Sequence, residues 1–262
     1  MSGVTIVVPC FNEELRLSAE GFRPLLQQPS YNVLFVDDGS TDGTLRVLQD
    51  LCKVLGGRAQ VLALGSNHGK AEAVRRGLVK GLQSGAEIVG YLDADLATPA
   101  SEMVRLAGHV NANVQAALGS RVALLGRHIE RKASRHYLGR VFATLASIIL
   151  DLPVYDTQCG AKAFAASPLL AKVLEDRFSA RWAFDVELIG RLLAGAPGLP
   201  GLRPDAFVEM PLRSWVDVAG SKLRPLHFPL LGLELLRIRL SLGRRRTAAA
   251  TLPRHAPANR LA

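Results

Sequence analysis

Uninterrupted apolar runs alternate with segments of helical periodicity four times within the first 120 residues, and this alternation constrains the fold more than any other feature. Predicted strands occupy residues 4–8, 32–36, 60–64, 88–92 and 116–119, and predicted helices occupy residues 13–28, 45–55 and 71–83. Strands that are apolar throughout are buried on both faces, which is typical of parallel βαβ units with helices on either side. We therefore predict an α/β fold with a mostly parallel central sheet and flanking helices.

Two carboxylates, Asp93 and Asp95, directly follow the fourth predicted strand. In an extended chain, alternate side chains lie on the same face, so both can point the same way. Neighbouring carboxylates repel and raise each other's pKa, and a divalent cation removes that conflict. Mg²⁺ and Mn²⁺ prefer such hard oxygen ligands. On these residues alone the alternative, a solvated turn after a strand, stays open.

Each predicted strand ends in polar or small residues, in the segments 9–13, 37–39, 65–70, 93–95 and 119–121. In parallel α/β sheets, ligands bind beyond the carboxyl ends of the strands. We therefore expect these segments to meet at one binding edge, which strengthens the metal interpretation of Asp93 and Asp95.

Asp37, Asp38 and Lys70 are candidate ligand contacts at that edge. Asp37 or Asp38 suits a ribose or base, because a carboxylate accepts from hydroxyl and ring N–H groups; the alternative is a carboxylate that stabilises a helix N-terminus. Lys70 suits a diphosphate, although a lone lysine is commonly plain surface. The chain has neither a G-x-G-x-x-G after the first strand nor a G-x-x-x-x-G-K-[ST] motif. Their absence argues against a dinucleotide oxidoreductase and excludes a P-loop NTPase.

A basic cluster follows Arg121, where the strand–helix alternation stops. Its members are Arg127, Arg131, Lys132, Arg135 and Arg140, and the apolar stretch 141–150 comes next. A solvated basic helix face is the alternative. The cluster beside an apolar helix, with Arg121 at the binding edge, suits an acceptor that has an anionic head and an apolar tail.

The C-terminal part contains a second apolar stretch, residues 228–242, in which Leu231, Leu235, Ile238 and Leu242 share one helical face. This predicts an amphipathic helix that either docks on the core or lies on a membrane surface. Neither apolar stretch is long and uninterrupted enough to span a bilayer. Residues 243–262 are basic and rich in Pro and Ala, and we predict a disordered tail there.

The formal net charge of +9 permits a nucleic acid, an anionic membrane or a phosphorylated substrate as partner. A basic nucleic-acid-binding protein has no use for carboxylates at successive strand ends, so we expect no nucleic acid partner. The three cysteines lack C-x-x-C spacing, which makes a zinc site or disulfide framework unexpected. The N-terminus enters the first strand without a basic leader. We expect a cytoplasmic protein, peripheral on a membrane face.

Eight motifs in order resemble family-2 glycosyltransferases with a GT-A fold, and most closely the dolichyl-phosphate β-glucosyltransferases and polyprenyl-phosphate sugar synthases. They occupy residues 7–14, 36–42, 67–70, 93–98, 119–121, 156–162, 181–188 and 220–223. The most specific are Asp-Thr-Gln-Cys-Gly at 156–160 and Arg-Trp-Ala-Phe-Asp-Val-Glu at 181–187. Ala97 stands where many relatives carry a glutamine that can bind metal, and His68 stands where an arginine is common.

For the donor, the resemblance implies a nucleoside site formed by Pro9, Asn12, Glu13 and Asp38 or Asp37. It implies that Asp93 and Asp95 form a D-x-D motif that binds Mg²⁺ or Mn²⁺ on the donor diphosphate. Lys70, or Lys222 if it closes over the donor, would assist.

For the acceptor, Arg121 and Arg135 match positions that grip a lipid phosphate. Asp156 and Asp185 would lie on the acceptor side and would be the candidate bases if the acceptor were a neutral hydroxyl. The implied reaction is inverting transfer of a hexose, expected to be glucose, from a UDP-sugar to a polyprenyl phosphate. GDP-mannose as donor, or a soluble hydroxyl acceptor, is the alternative.

The resemblance covers one GT-A domain, residues 1–242. Residues 1–120 would form the nucleotide-sugar half and residues 121–242 the acceptor half, ahead of the tail.

Overall fold

The structure, a computed structural model, describes residues 3–130, 133–218 and 228–250. The described strands are β1 (Val4–Cys10), β2 (Tyr31–Asp37), β3 (Ala59–Ala63), β4 (Ile88–Leu92), β5 (Ala116–Ser120), β6 (His128–Glu130), β7 (Ala161–Ala165), β8 (Phe207–Pro211) and β9 (Ser214–Val216). The described α-helices are α1 (Ala19–Leu26), α2 (Thr44–Leu55), α3 (Lys70–Gln83), α4 (Ala100–Ala107), α5 (Ala133–Leu150), α6 (Pro168–Val173), α7 (Phe184–Ala194) and α8 (Phe228–Ala250).

Seven strands form one sheet in the order β3-β2-β1-β4-β7-β5-β8. Strands β1 to β4 pair in parallel, as do β5 and β8. Strand β7 pairs antiparallel with β4 on one side and with β5 on the other. The predicted mostly parallel sheet is confirmed, and the antiparallel insertion of β7 was not predicted. Strands β6 and β9 form a separate two-stranded sheet.

Helices cover both faces of the large sheet, and consecutive residues of β1 show the arrangement. Val7 belongs to one apolar core, with residues of α3 and α5 to α8, while Ile6 and Val8 belong to a second core with residues of α1, α2 and α4. All three β1 side chains are fully buried. Burial on both faces is the reason that the first strands are apolar at every position.

The predicted helix over residues 13–28 is wrong at its start. Helix α1 begins at Ala19, where the side chain of Ser18 accepts a hydrogen bond from the backbone N–H of Gly21. Leu15, which lies inside the predicted helix but before α1, is 97% exposed. The cap at Ser18 supplies a partner for an N–H group of the first helical turn, and this outweighs the weak apolar pattern before it.

Helix α8 confirms the predicted apolar face, because Leu231, Leu235, Ile238 and Leu242 are all buried. The helix continues to Ala250, so the predicted start of a disordered tail at residue 243 is wrong for residues 243–250. Arginine and alanine are strong helix formers, and Arg245 pairs with a carboxylate outside the helix. Residues 251–262 lie outside the described part of the chain. No helix within that part is long and apolar enough to cross a bilayer.

Candidate active site

The segments after β1 and β2 are joined through Asn12. Its side-chain Oδ1 accepts from the backbone N–H of Thr41 at 2.9 Å, and its own N–H donates to Ser40 Oγ at 3.0 Å. Asn12 has a φ of 56°, in the left-handed region that asparagine tolerates better than most residues. Pro9 lies at the end of β1, and the backbone N–H of Glu13 donates to a threonine hydroxyl of α2. The predicted nucleoside residues of β1 therefore lie at the carboxyl edge of the sheet.

Asp38 has a structural task at this edge. Its buried carboxylate accepts from the backbone N–H groups of His68 and Gly69, both at 2.8 Å. Gly69 immediately precedes α3, so this geometry corresponds to the alternative of a carboxylate at a helix N-terminus. Among the described residues, the buried side chain of Asp37 makes a long contact of 3.4 Å with the N–H of Ser40. Of the two aspartates, Asp37 is the one that this geometry leaves for a nucleoside.

Lys70 is the first residue of α3, and its Nζ lies 2.6 Å from Oδ1 of Asp93. The backbone N–H of Asp93 donates to the carbonyl of Gly160. A Cβ atom at Gly160 would lie only 2.1 Å from Oδ2 of Asp93, so the carboxylate occupies the space that a side chain would need. The predicted diphosphate lysine and the first D-x-D carboxylate are therefore in contact.

The two D-x-D carboxylates fit a divalent cation. Burial, and after it the charge of Asp93, raises the pKa of Asp95, which is the conflict that a bound cation would relieve. Ala97 offers no side-chain oxygen, and its N–H donates to Oδ1 of Asp95 at 3.1 Å. Within the described ranges, no group of three or more His, Cys, Asp or Glu side chains could hold a metal. Phosphate or water oxygens would therefore have to complete the shell of Mg²⁺ or Mn²⁺ held by this pair.

Arg121, directly after β5, forms a two-point ion pair with Asp156. Its Nε and Nη2 donate to the two carboxylate oxygens at 2.6 and 2.8 Å, and its guanidinium lies 5.5 Å from the ring centroid of Trp215. Burial alone would raise the pKa of Asp156, but the Arg121 charge outweighs it and holds that pKa well below the usual range. Glu209 of β8 fixes the segment by accepting from the N–H groups of Tyr155 and Asp156.

Asp185 is also committed to an internal partner. Its Oδ1 accepts from Nζ of Lys162, a fully buried lysine of β7, at 2.8 Å, and from the hydroxyl of Tyr91. Nζ of Lys162 also donates to the carbonyl of Cys159 at 2.6 Å. Our sequence analysis assigned no role to Lys162 or Tyr91. The sequence signal that could have found them is a lysine between two alanines in an apolar strand. A buried charge requires a partner, so such a lysine indicates a charged or polar side chain beside it.

The segment 156–160 connects the two sides of the site. Asp156 pairs with Arg121, while Gly160 contacts Asp93. Two other predicted contacts are not placed, since the side chain of Arg135 and all of Lys222 lie outside what the structure describes.

Residues 5–169 match the family model for "Glycosyl transferase family 2". The chain is 31% identical over 259 residues to the human dolichyl-phosphate beta-glucosyltransferase, an alignment that covers 90% of this chain and 75% of the human protein. This chain belongs to glycosyltransferase family 2. The family predicted from the eight motifs is thereby confirmed, and the protein is a glycosyltransferase.

Two further proteins are similar across most of the chain. The polyprenol monophosphomannose synthase of Mycolicibacterium smegmatis is 27% identical over 223 residues, with 85% of this chain and 83% of that protein covered. A crystal structure of glucosyl-3-phosphoglycerate synthase from Mycobacterium tuberculosis, with Mn²⁺, UDP and glucosyl-3-phosphoglycerate, superposes with a TM-score of 0.62. That comparison covers 94% of this chain and 80% of the other at 20% identity, and it shows the fold alone. The predicted GT-A fold is confirmed.

Proposed function

We propose that this glycosyltransferase transfers glucose, with inversion, from UDP-glucose to a polyprenyl phosphate at a membrane surface. The likeness to dolichyl-phosphate beta-glucosyltransferases over 90% of the chain supports glucose as the transferred sugar and a polyprenyl-type phosphate as the acceptor. A second candidate donor is GDP-mannose, and the likeness to the polyprenol monophosphomannose synthase supports mannose as its sugar.

The proposal of a phosphate acceptor rests on the surroundings of Asp156 and Asp185, the two carboxylates that were predicted as candidate bases. A neutral hydroxyl needs a base to remove its proton, whereas a phosphate is already ionised at neutral pH. Asp156 is held ionised and paired by Arg121, and Asp185 is buried against Lys162 and Tyr91. Both carboxylates are already engaged by internal partners, so the arrangement favours an acceptor that carries its own charge.

Arg121 is suited to position that acceptor for attack. A guanidinium has five N–H donors, and the pair with Asp156 engages two of them. Because Asp156 fixes the plane of the guanidinium, the remaining donors point in defined directions. Orientation of an ionised nucleophile by a fixed cation lowers the barrier without any proton transfer. Arg135 is proposed to share this role.

On the donor side, Asp93, Asp95 and Lys70 are proposed to lie along the diphosphate. A divalent cation held by the two aspartates would supply Lewis-acid charge for the leaving nucleotide. Partial burial lowers the pKa of Lys70, but Asp93 and Asp185 outweigh it and raise that pKa, so the lysine stays a cation. Pro9, Asn12, Glu13 and Asp37 are proposed to hold the nucleoside, with Lys222 closing over the donor.

The proposed membrane contact is an apolar surface on two packed helices, α5 and α8. Its seven exposed side chains are Val141, Leu145 and Ile148 of α5 and Leu230, Leu233, Leu236 and Leu240 of α8. A contiguous exposed apolar surface is typical of protein or membrane contact sites.

A cavity of about 400 Å³ opens beside the apolar surface and is lined by Arg181, Trp182, Leu230, Leu233, Glu234 and Arg237. Arg237 together with the apolar side chains Leu230 and Leu233 suits an isoprenoid phosphate.

The test is incubation with radiolabelled UDP-glucose or GDP-mannose and polyprenyl phosphate, followed by extraction into organic solvent. We expect label from UDP-glucose in the organic phase. Asp95→Asn is expected to lower this transfer about a hundredfold, as loss of a metal contact does. Asp50→Asn, a matched change at a surface ion pair, is expected to leave it unchanged. Label from GDP-mannose would identify the second candidate, and label confined to the aqueous phase would contradict the lipid acceptor.

A further inference from the structure

Glu234 of α8 binds the main chain of the segment that leads into α7. Its carboxylate accepts from the backbone N–H groups of Arg181 at 3.0 Å, Trp182 at 3.0 Å and Ala183 at 2.8 Å. Ala183 is the cap residue of α7, so these three donors belong to the residues just before the helix. A carboxylate from a distant helix therefore fixes the main chain that leads into α7.

The segment held by Glu234 reaches the proposed donor site at Arg181. A methyl group at Gly69 would lie 3.8 Å from Nε of Arg181, so the guanidinium rests against the loop that leads into Lys70. Lys70 in turn contacts Asp93. Arg181 is itself exposed, which leaves its guanidinium accessible to an anion.

The docking of α8 does not depend on Glu234. Four fully or nearly buried side chains, Leu231, Leu235, Ile238 and Leu242, already hold the helix on the core. Loss of the three hydrogen bonds is therefore expected to free residues 181–183 locally while α8 stays in place.

We propose that Arg181 is a further contact for the donor diphosphate and that Glu234 is the positioning residue that holds it there. Through this carboxylate, the helix that carries the apolar surface sets the affinity for the donor. The inference rests on the proposed function, because it takes the loop before Lys70 as the diphosphate side of the donor site.

The test measures the dissociation constant of UDP with Mn²⁺ for wild type and Glu234→Gln. Glutamine keeps one acceptor oxygen and turns an NH₂ group toward the backbone donors, so residues 181–183 lose their fixed position. We expect about tenfold weaker binding of UDP, within the usual range of coupling between sites. Glu20→Gln, a matched change at an exposed ion pair of α1, is expected to bind UDP as wild type does.

Arg181→Gln distinguishes positioning from a general loss of stability. If Glu234 acts through Arg181, the double variant binds UDP no more weakly than Arg181→Gln alone, whereas independent effects would multiply. Arg181 is exposed, so this variant is informative even if Glu234→Gln fails to fold. Wild-type affinity in either single variant, or multiplied losses in the double variant, would overturn the inference. Absence of any UDP or GDP binding to the wild type would overturn the proposed function along with it.

Discussion

Gly160 is the residue on which the two sides of the site depend most directly. Its carbonyl accepts from the N–H of Asp93, and its missing side chain leaves room for the carboxylate of that aspartate. The same short segment carries Asp156, which fixes Arg121. A distortion at Gly160 is therefore expected to displace Asp93 before it affects Asp156 and Arg121.

Gly160→Ala is expected to displace the carboxylate of Asp93, because the new Cβ would lie 2.1 Å from its Oδ2. Sub-ångström errors in a metal or diphosphate site commonly cost one to two orders of magnitude, and we expect about a 10- to 100-fold loss of transfer with a higher metal requirement. Steady-state rates as a function of Mn²⁺ concentration measure both effects. Gly57→Ala, where a Cβ meets nothing within 4 Å, is the control. Wild-type metal dependence in Gly160→Ala would contradict the assigned geometry.

At the scale of elements, α3 begins at Lys70 and is anchored by Glu72. The carboxylate accepts from Nε and Nη2 of Arg75 and from Nε of Arg76. Nη1 of Arg75 donates to the carbonyl of Leu174, just after α6. The buried carboxylate thus ties the first turn of α3 to a neighbouring helix.

Glu72→Gln is expected to reveal this anchor through the pH dependence of stability. The hydrogen bonds from Arg75, opposed by burial and joined by those from Arg76, lower the pKa of Glu72 to about 2. A folded-state pKa below the unfolded value of about 4.3 means that the stabilisation is complete above about pH 4.3 and is lost as pH falls through about 2. We expect the free energy of unfolding to drop by on the order of 3 kcal/mol at neutral pH.

Urea unfolding at several pH values measures this difference between wild type and Glu72→Gln. The difference should shrink steadily between about pH 4 and pH 2. Glu20→Gln, at an exposed ion pair, should show little difference at any pH. A gap between wild type and Glu72→Gln that stays constant with pH would show that the carboxylate charge is not the stabilising feature.

For the whole molecule, one sheet takes strands from both predicted halves. Strand β7, from the C-terminal half, lies between β4 and β5 and brings the segment 156–160 next to Asp93 at the end of β4. The proposed donor and acceptor contacts therefore share one sheet. The apolar surface of α5 and α8 lies on helices that cover one face of that sheet.

Leu236→Glu with Leu240→Glu is expected to weaken binding to anionic vesicles. Both side chains are more than half exposed, so the core should be unaffected. Burial of a leucine contributes about 1.5 kcal/mol or more, and we expect at least about tenfold weaker binding. Vesicle co-sedimentation measures this, with Val54→Glu on α2 as the control for an exposed apolar side chain elsewhere. Equal vesicle binding by the double variant and the control would remove the apolar surface as the membrane contact.

The amino-acid sequence was sufficient for the parallel part of the sheet and for the segments that meet at its carboxyl edge. Burial on both faces imposes an apolar residue at every position of a strand, so β1, β2 and β4 can be located from local pattern. Asp93 and Asp95 were predicted to bind a metal because two neighbouring carboxylates at the end of such a strand repel each other, and a cation removes that repulsion. The motif order then led to the family, which the matched relatives confirm.

Contacts between segments far apart in the chain could not be predicted in this way. A local sequence pattern does not specify which distant residue a side chain will contact. The antiparallel position of β7, the pairing of Lys162 with Asp185 and the contact of Glu234 with the main chain before α7 all join residues that are distant in sequence. Asp38 was predicted to contact the nucleoside and Asp156 to lie on the acceptor side, and both roles stay predictions. The fold gives each of them a partner that the local pattern did not indicate. Desolvation makes each buried charge depend on a specific neighbour, and that neighbour is set by the packing of the folded chain.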